Sequence, residues 1–358
     1  MRYILILLIS SLYLSACSQP TIYITANDPA IKYTGRIDFS HPGEAKFAYP
    51  GTSIKFKFEG KICNLHFSDY SVSEMANYYS ILVDNEENVV GIQHDTIIKF
   101  KLSEGSHSIE IFKRTESLVG IGIFKGLDIE KGKKLLPLQP LSRKIEFIGN
   151  SITCGYGNEG NSPECHFAPE TENGYLSYAA ITARNLNADY LAVAYSGKGV
   201  IQNYDLKTET IPQVYDRTFP DLNKPLWDFK RYTPDLVVIN LGTNDFAHAA
   251  PDSALFIKTY TEFLKKIRTN YPKAKILCIE GCMIRDNWPI GVQSLTMIKR
   301  HIEKSIAIFN KEHDNQIASF YLSTAKEGDF GCDYHPNVAK HKSMASELTA
   351  FVKEFMHW

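Results

Sequence analysis

A serine hydroxyl is a poor nucleophile until a base takes its proton, and acyl transfer then needs hydrogen-bond donors around a developing oxyanion. Four residues of this chain have the types those tasks require: Ser151 in "GNSIT", Gly197 in "SGKG", Asn244 in "GTND" and His335 in "GCDYHPN". Histidine titrates near neutrality and is the usual base. A side-chain amide and an unobstructed backbone N–H at a glycine suit the oxyanion. Asp333, two residues before His335, is a candidate to orient the imidazole. A competing reading lies beside the serine. "GYGNEG", with Gly155, Gly157 and Gly160, fits the G-x-G-x-x-G pattern of dinucleotide binding. That pattern needs a helix opening inside it and an acid about 20 residues further on. Here it runs into a loop holding Pro163 and Pro169, and "YAAIT" near position 180 carries no acid. The serine passes this test and the nucleotide reading fails it. "ITCGYG" does not read as a helix start, so Ser151 is not taken for a helix cap.

The elements that must position these residues fall into two grammars. Residues 18–135 read as strands. "SIKFKFEG" alternates Ile54, Phe56 and Phe58 with Lys55 and Lys57, the period of a half-buried strand. "YYSILVDNEENVVGI" reads as a hairpin turning at residues 84–88, and "TIIKFKLSEGSHSIEIFKR" as another turning at residues 104–107. Frequent turns without a helical run predict a β-sandwich, here jelly-roll-like. Residues 136–142, with Pro137 and Pro140, read as a linker.

Across residues 143–358 strands alternate with helices. "KIEFIG", "DYLAVAYSG", "DLVVINLGTND", "AKILCIEG" and "QIASFYL" are strands; residues 175–186 and the segments opening at Ser253, Ser294 and Val338 are amphipathic helices. This alternation predicts an α/β fold with a three-layer, flavodoxin-like parallel sheet. In such sheets ligands gather at the carboxyl ends of the strands, where Ser151, Gly197, Asn244 and His335 all fall.

Lys plus Arg number 39 and Asp plus Glu 40, a net charge of −1 without a basic block, which argues against a nucleic-acid partner. The cysteines show no metal-ligand spacing, so neither metal nor other cofactor is expected. Cys154 and Cys165 bracket the glycine loop and could staple it; Cys63 and Cys278 read as buried small hydrophobes, and Trp227 as core. Trp288, in "RDNWPIG" after the fourth strand of the sheet, is placed to stack on a sugar ring.

Taken in order, "GNSIT", "SGKG", "GTND" and "DYHP" resemble the four blocks of the SGNH hydrolases, or GDSL esterases. The resemblance implies Ser151 as nucleophile, His335 as base, and Gly197 and Asn244 as oxyanion donors beside the Ser151 N–H. It departs in two places: Asn150 stands where the family has Asp, and the position three before His335 is Cys332. Residues two apart do not face each other in a helical turn, so Asp333 is poorly placed and a backbone carbonyl could hold the ring instead. A β-sandwich ahead of such a domain, with "GNSITCGYG" and "DYHPN", is similar to carbohydrate esterase family 2. That likeness implies an esterase removing O-acetyl groups from polysaccharides such as xylan or glucomannan. The rivals are a lipase or thioesterase on the same fold, or a catalytically silent carbohydrate-binding protein. Residues 1–17 read as a signal, with Arg2, an apolar run over residues 4–14 and "LSAC". Cys17 there resembles a bacterial lipobox, implying acylation at Cys17, a lipid anchor as the membrane contact, and a place in the cell envelope.

Overall fold

The computed structural model describes residues 20–358 apart from Val72, Ser73, Lys207 and His313. The expected signal and Cys17 lie outside the described residues. The first domain contains β1 (Thr21–Thr25), β2 (Lys32–Thr34), β3 (Ala45–Phe47), β4 (Ser53–Glu59), β5 (Ile62–Ser71), β6 (Asn77–Val83), β7 (Glu86–Ile92), β8 (Thr96–Lys101), β9 (Ser106–Lys113), β10 (Gly120–Glu130) and β11 (Leu135–Leu136). One antiparallel sheet runs β1-β10-β5-β8 with β3 on β10; the other runs β11-β4-β9-β6-β7 with β2 on β4. Alternation places Ile54, Phe56 and Phe58 inward, where they pack with Phe67, Tyr79, Ile111 and Phe124 between the sheets. The β6–β7 hairpin turns at Asp84 and Asn85, whose φ of 51° and 73° match the turn that suits twisted strands. The second expected hairpin is not one. β8 pairs with β5, whereas β9 pairs with β4 and β6, so the chain crosses between sheets after β8. Alternation reports which face a strand buries, not which strand it pairs with.

The second domain contains β12 (Arg143–Gly149), α1 (Ser151–Cys154), α2 (Tyr178–Asn185), β13 (Ala188–Ala194), α3 (Ile211–Val214), β14 (Leu236–Asn240), α4 (Ser253–Asn270), β15 (Lys275–Glu280), α5 (Ser294–Glu312), β16 (Ile317–Tyr321) and α6 (Val338–Met356). Its sheet is parallel throughout, in the order β13-β12-β14-β15-β16. All five residues of β14 are buried, as a strand covered on both faces requires. Tyr260, Phe263, Ile298 and Ile302 of α4 and α5 cover one face, and Ala179, Ala183, Met344 and Leu348 of α2 and α6 the other. The connections reverse direction between β12 and β14, and that switch point opens the crevice in which such folds bind ligands.

A buried charge pins the two domains together. Arg36, between β2 and β3, is fully buried. Its Nη2 lies 3.6 Å from Glu146 Oε1 on β12, and its Nη1 donates to the Arg217 carbonyl at 2.9 Å. The guanidinium sits over the Tyr215 ring at 4.9 Å. Glu146 also accepts from Tyr215 Oη at 2.8 Å and Tyr271 Oη at 2.6 Å. Arg36→Met strands the Glu146 carboxylate and is expected to cost about 3–5 kcal/mol. Urea unfolding checks this, and adding Glu146→Gln is expected to restore part of the loss; additive losses would mean that the two residues are not coupled.

Candidate active site

Ser151 follows β12 directly, at the switch point. The structure corrects the expectation that no helix starts here. α1 is a single turn capped by Asn150, whose Oδ1 accepts from Ile152 N at 3.1 Å, and closed by Gly155 at φ 83°. Asn150 thus takes up an otherwise unpaired backbone donor, a role Asn performs well. The glycines of "GYGNEG" serve closeness. A Cβ on Gly160 would come within 2.3 Å of Cys332 Sγ and 2.7 Å of Cys165 Sγ. Those sulfurs form a disulfide across 167 residues. The expected Cys154 staple is therefore wrong: Cys154 is a buried free thiol at the inner end of α1, while Cys165 reaches out to the histidine loop. Cys63 and Cys278 are buried free thiols and Trp227 is buried, as expected.

His335 Nε2 lies 2.8 Å from Ser151 Oγ. Its Nδ1 faces the backbone carbonyl of Asp333 at 3.0 Å. The side chain of Asp333 does not orient the base, which corrects its inclusion among the catalytic side chains. Its carboxylate accepts from Tyr156 Oη at 2.9 Å and Phe167 N at 3.0 Å, with His166 Nδ1 at 2.9 Å. Burial pushes that carboxyl up, but the bonds from His166, Tyr156 and Phe167 outweigh it and hold it below its usual range. Asp333 and Tyr334 both have positive φ, 50° and 58°, and this left-handed step turns the Asp333 carbonyl toward the ring. Desolvation, partly offset by that carbonyl, lowers the imidazole to about 4, so it is neutral and able to accept a proton at neutral pH. Tyr156 lies against it, ring centroids 4.2 Å apart.

The donors come from the next two strand ends. Gly197, at φ 75°, follows β13, and a side chain there would be strained. Asn244 follows β14, and its Nδ2 donates to the Lys198 carbonyl at 2.9 Å, which fixes the amide and leaves its second N–H for a ligand. The neighbouring Asp245 carboxylate accepts from the N–H groups of Val200 at 2.9 Å, Ile201 at 2.8 Å and Gln202 at 3.1 Å. These bonds lock the two loops together.

Ser151, Gly197, Asn244 and His335 line one cleft of roughly 580 Å³, with Tyr156, Tyr204, Phe246, Met283 and Trp288. Trp288 stands 66 % exposed on the rim, free to meet a ring-shaped ligand. Among the described residues one group has metal-ligand reach, Glu116, Cys154 and Glu172; all three are buried and none lines this cleft. Sequence reading missed Tyr156 and His166, although Tyr156 lies inside the quoted motif. It also missed Glu116 of the first domain, whose carboxylate accepts from Ser196 N at 2.8 Å. A contact between residues 80 apart in separate domains leaves no local signal.

Comparison with known proteins places this geometry. Residues 33–138 match the Carbohydrate esterase 2 N-terminal model, and residues 147–342 the GDSL-like Lipase/Acylhydrolase family. The chain is 38 % identical over 339 residues to the cellulase/esterase CelE of Acetivibrio thermocellus, covering 93 % of this chain but only 40 % of that protein's length. It is 30 % identical to an acetylxylan esterase / glucomannan deacetylase of Cellvibrio japonicus, covering 99 % of this chain and 98 % of the relative. The structure of a family two carbohydrate esterase from Clostridium thermocellum in complex with cellohexaose matches at TM-score 0.85 with 36 % identity, over 92 % of this chain and 99 % of that one. A second such esterase, from Cellvibrio japonicus, matches at TM-score 0.86 with 27 % identity, over 95 % and 99 % of the two chains. Two antiparallel sheets packed as a first domain, and a parallel sheet carrying a serine–histidine pair at its switch point, thus have a place among known proteins: the chain belongs to carbohydrate esterase family 2, with a catalytic domain of the GDSL-like lipase/acylhydrolase family.

Proposed function

We propose that this protein is a serine esterase that removes O-acetyl groups from polysaccharides such as xylan or glucomannan. The observation that carries the reading is the 2.8 Å contact between Ser151 Oγ and His335 Nε2, in a cleft that also presents the Asn244 amide. Ser151 Oγ attacks the acetyl carbonyl carbon while His335 Nε2 takes its proton. The Ser151 and Gly197 N–H groups and Asn244 Nδ2 donate to the oxyanion. Collapse breaks the C–O bond to the sugar, whose oxygen takes the proton from His335 and departs as the free hydroxyl, leaving acetyl-Ser151. Water, deprotonated by His335, attacks the acetyl carbon; the bond to Ser151 Oγ breaks, acetate leaves and Oγ recovers its proton from His335. The Asp333 carbonyl keeps Nδ1 protonated, so that Nε2 is the basic nitrogen. Trp288 and Tyr204, exposed in the cleft lining, offer rings on which sugars stack. The named activity of the Cellvibrio japonicus relative supports the substrate class.

Acetate release from acetylated xylan and glucomannan, set against hydrolysis of a long-chain nitrophenyl ester, tests the proposal; turnover confined to the long chain would sink it. Ser151→Ala is expected to abolish release, and Asn244→Ala to lower kcat by about 10²–10³ with little change in KM.

The Asp333 geometry yields a sharper expectation. An orienting aspartate in a full triad is worth about 10⁴ in kcat when replaced by Asn. Asp333→Asn keeps the backbone carbonyl and a residue that tolerates positive φ, so kcat is expected to fall far less than in His335→Ala. Equal, near-total losses in folded variants would make the carboxylate a working member of the site.

For location, we infer a lipid-anchored protein of the bacterial cell envelope, on the basis of "LSAC" at residues 14–17. Cys17→Ser is expected to block incorporation of labelled lipid; unchanged membrane attachment would refute the anchor.

A further inference from the structure

Beneath the oxyanion loop lies a buried acidic pair that the mechanism above does not use. Glu116 comes from the first domain, on the segment after β9, and is 0 % exposed. Its two oxygens accept from Ser196 N at 2.8 Å and from Ser196 Oγ. Ser196 is the residue immediately before Gly197. Glu172, also 0 % exposed, accepts from Glu116 N at 3.0 Å through Oε2. Its Oε1 is buried without a hydrogen-bond donor, and the two carboxyls come within 4.8 Å of each other. Two carboxylates cannot both be ionised in such a place. The cation acting on both is Lys113, fully buried, with Nζ donating to the Thr115 carbonyl at 2.7 Å and the Glu116 carbonyl at 3.1 Å. Lys113 also faces the buried Asp69, so this one cation cannot balance both glutamates, which leaves one of their carboxyls to hold a proton.

We propose that Glu116 is a positioning residue for the oxyanion hole: as the ionised member of a proton-sharing pair with Glu172, it fixes Ser196 and through it the Gly197 N–H. The division of roles follows from the donors. Glu116 accepts from the Ser196 N–H on one oxygen and from its hydroxyl on the other, the pattern of a carboxylate. Glu172 accepts on Oε2 and has no hydrogen-bond donor at Oε1, so it is the member that carries the proton, with the Glu116 carboxylate and the Cys154 thiol as its neighbours. Desolvation raises both groups, with Glu172 held well above its usual value. The pair also touches the nucleophile turn, because the Cys154 thiol at the end of α1 lies within 4.8 Å of both carboxyls. The first domain thereby sets the backbone geometry of the second domain's site.

The proposal rests on the serine-esterase reading, which wild-type acetate release and its loss in Ser151→Ala establish separately. The test compares two isosteric changes. In Glu172→Gln the amide N–H replaces the shared proton and the amide oxygen still accepts from Glu116 N, so kcat and KM are expected to be unchanged. In Glu116→Gln an amide N–H₂ faces a site that needs an acceptor, and kcat is expected to fall by about 10², the scale of one lost oxyanion donor, with KM unchanged. Ser196→Ala, which keeps every charge in place, is expected to lower kcat in the same direction with KM unchanged, and it serves if Glu116→Gln does not fold. Equal effects of the two Gln variants would overturn the assignment. So would a loss of melting temperature in Glu116→Gln with kcat intact, full kcat in Ser196→Ala, or a stoichiometric divalent cation retained by the purified protein.

Discussion

The Arg36–Glu146 contact is the constraint on which the two-domain arrangement depends. Glu146 lies in the middle of β12, the strand that ends at the nucleophile, and is fully buried there. An unpaired carboxylate in that position would be costly, and its positive partner comes from the other domain. The catalytic sheet is therefore electrostatically complete only when the β-sandwich is docked. Tyr215 and Tyr271 satisfy the remaining acceptor capacity of Glu146, and aromatic rings around Arg36 fill the space that water would otherwise occupy. Once docked, the sandwich delivers the segment after β9 to the underside of the oxyanion loop. A contact that looks purely architectural thus determines whether the site has all its parts.

The histidine loop follows a related logic. Two consecutive residues in the left-handed region are unfavourable, at about 1–3 kcal/mol each, and persist only where the surroundings over-determine them. Three restraints do so here. The disulfide ties Cys332 to Cys165, the Asp333 carboxylate is held by Tyr156 and Phe167, and Gly331 N donates to the His335 carbonyl at 2.8 Å. The first two restraints reach back to the glycine-rich segment after Ser151. Nucleophile and base, 184 residues apart in sequence, are consequently held by one compact cluster rather than by two independent loops.

Much of this was legible in the sequence because the signals were local and periodic. β14 announced itself by an unbroken apolar run, and α4 and α5 by their amphipathic faces. Ser151, Gly197, Asn244 and His335 could be aligned because each follows or precedes an element whose end is easy to see. What escaped depends on partners distant in the chain. Nothing in the spacing of Cys154, Cys165 and Cys332 shows which pair bonds, and the nearer pair was the wrong choice. The turn at residues 104–107 looks like a hairpin whichever sheet the following strand joins. The role of Asp333 was half legible: the two-residue spacing argued against its carboxylate, but only backbone dihedrals show its carbonyl aimed at the ring. Glu116 carried no signal, since an acid in a loop of one domain says nothing about a loop in another.

The main-chain carbonyl that steadies His335 belongs to no side chain, and no codon change can delete it. Position 333 reaches the base through chain direction rather than through acidity, so asparagine there, which keeps an acceptor for Tyr156 and Phe167, would be compatible with turnover. Side-chain scanning of this enzyme would find a serine and a histidine and count a dyad, while the third member went unrecorded. Surveys that judge competence by an acidic residue upstream of the histidine would score such a chain as defective. The better criterion is conformational: whether the residues before the histidine can adopt a left-handed step.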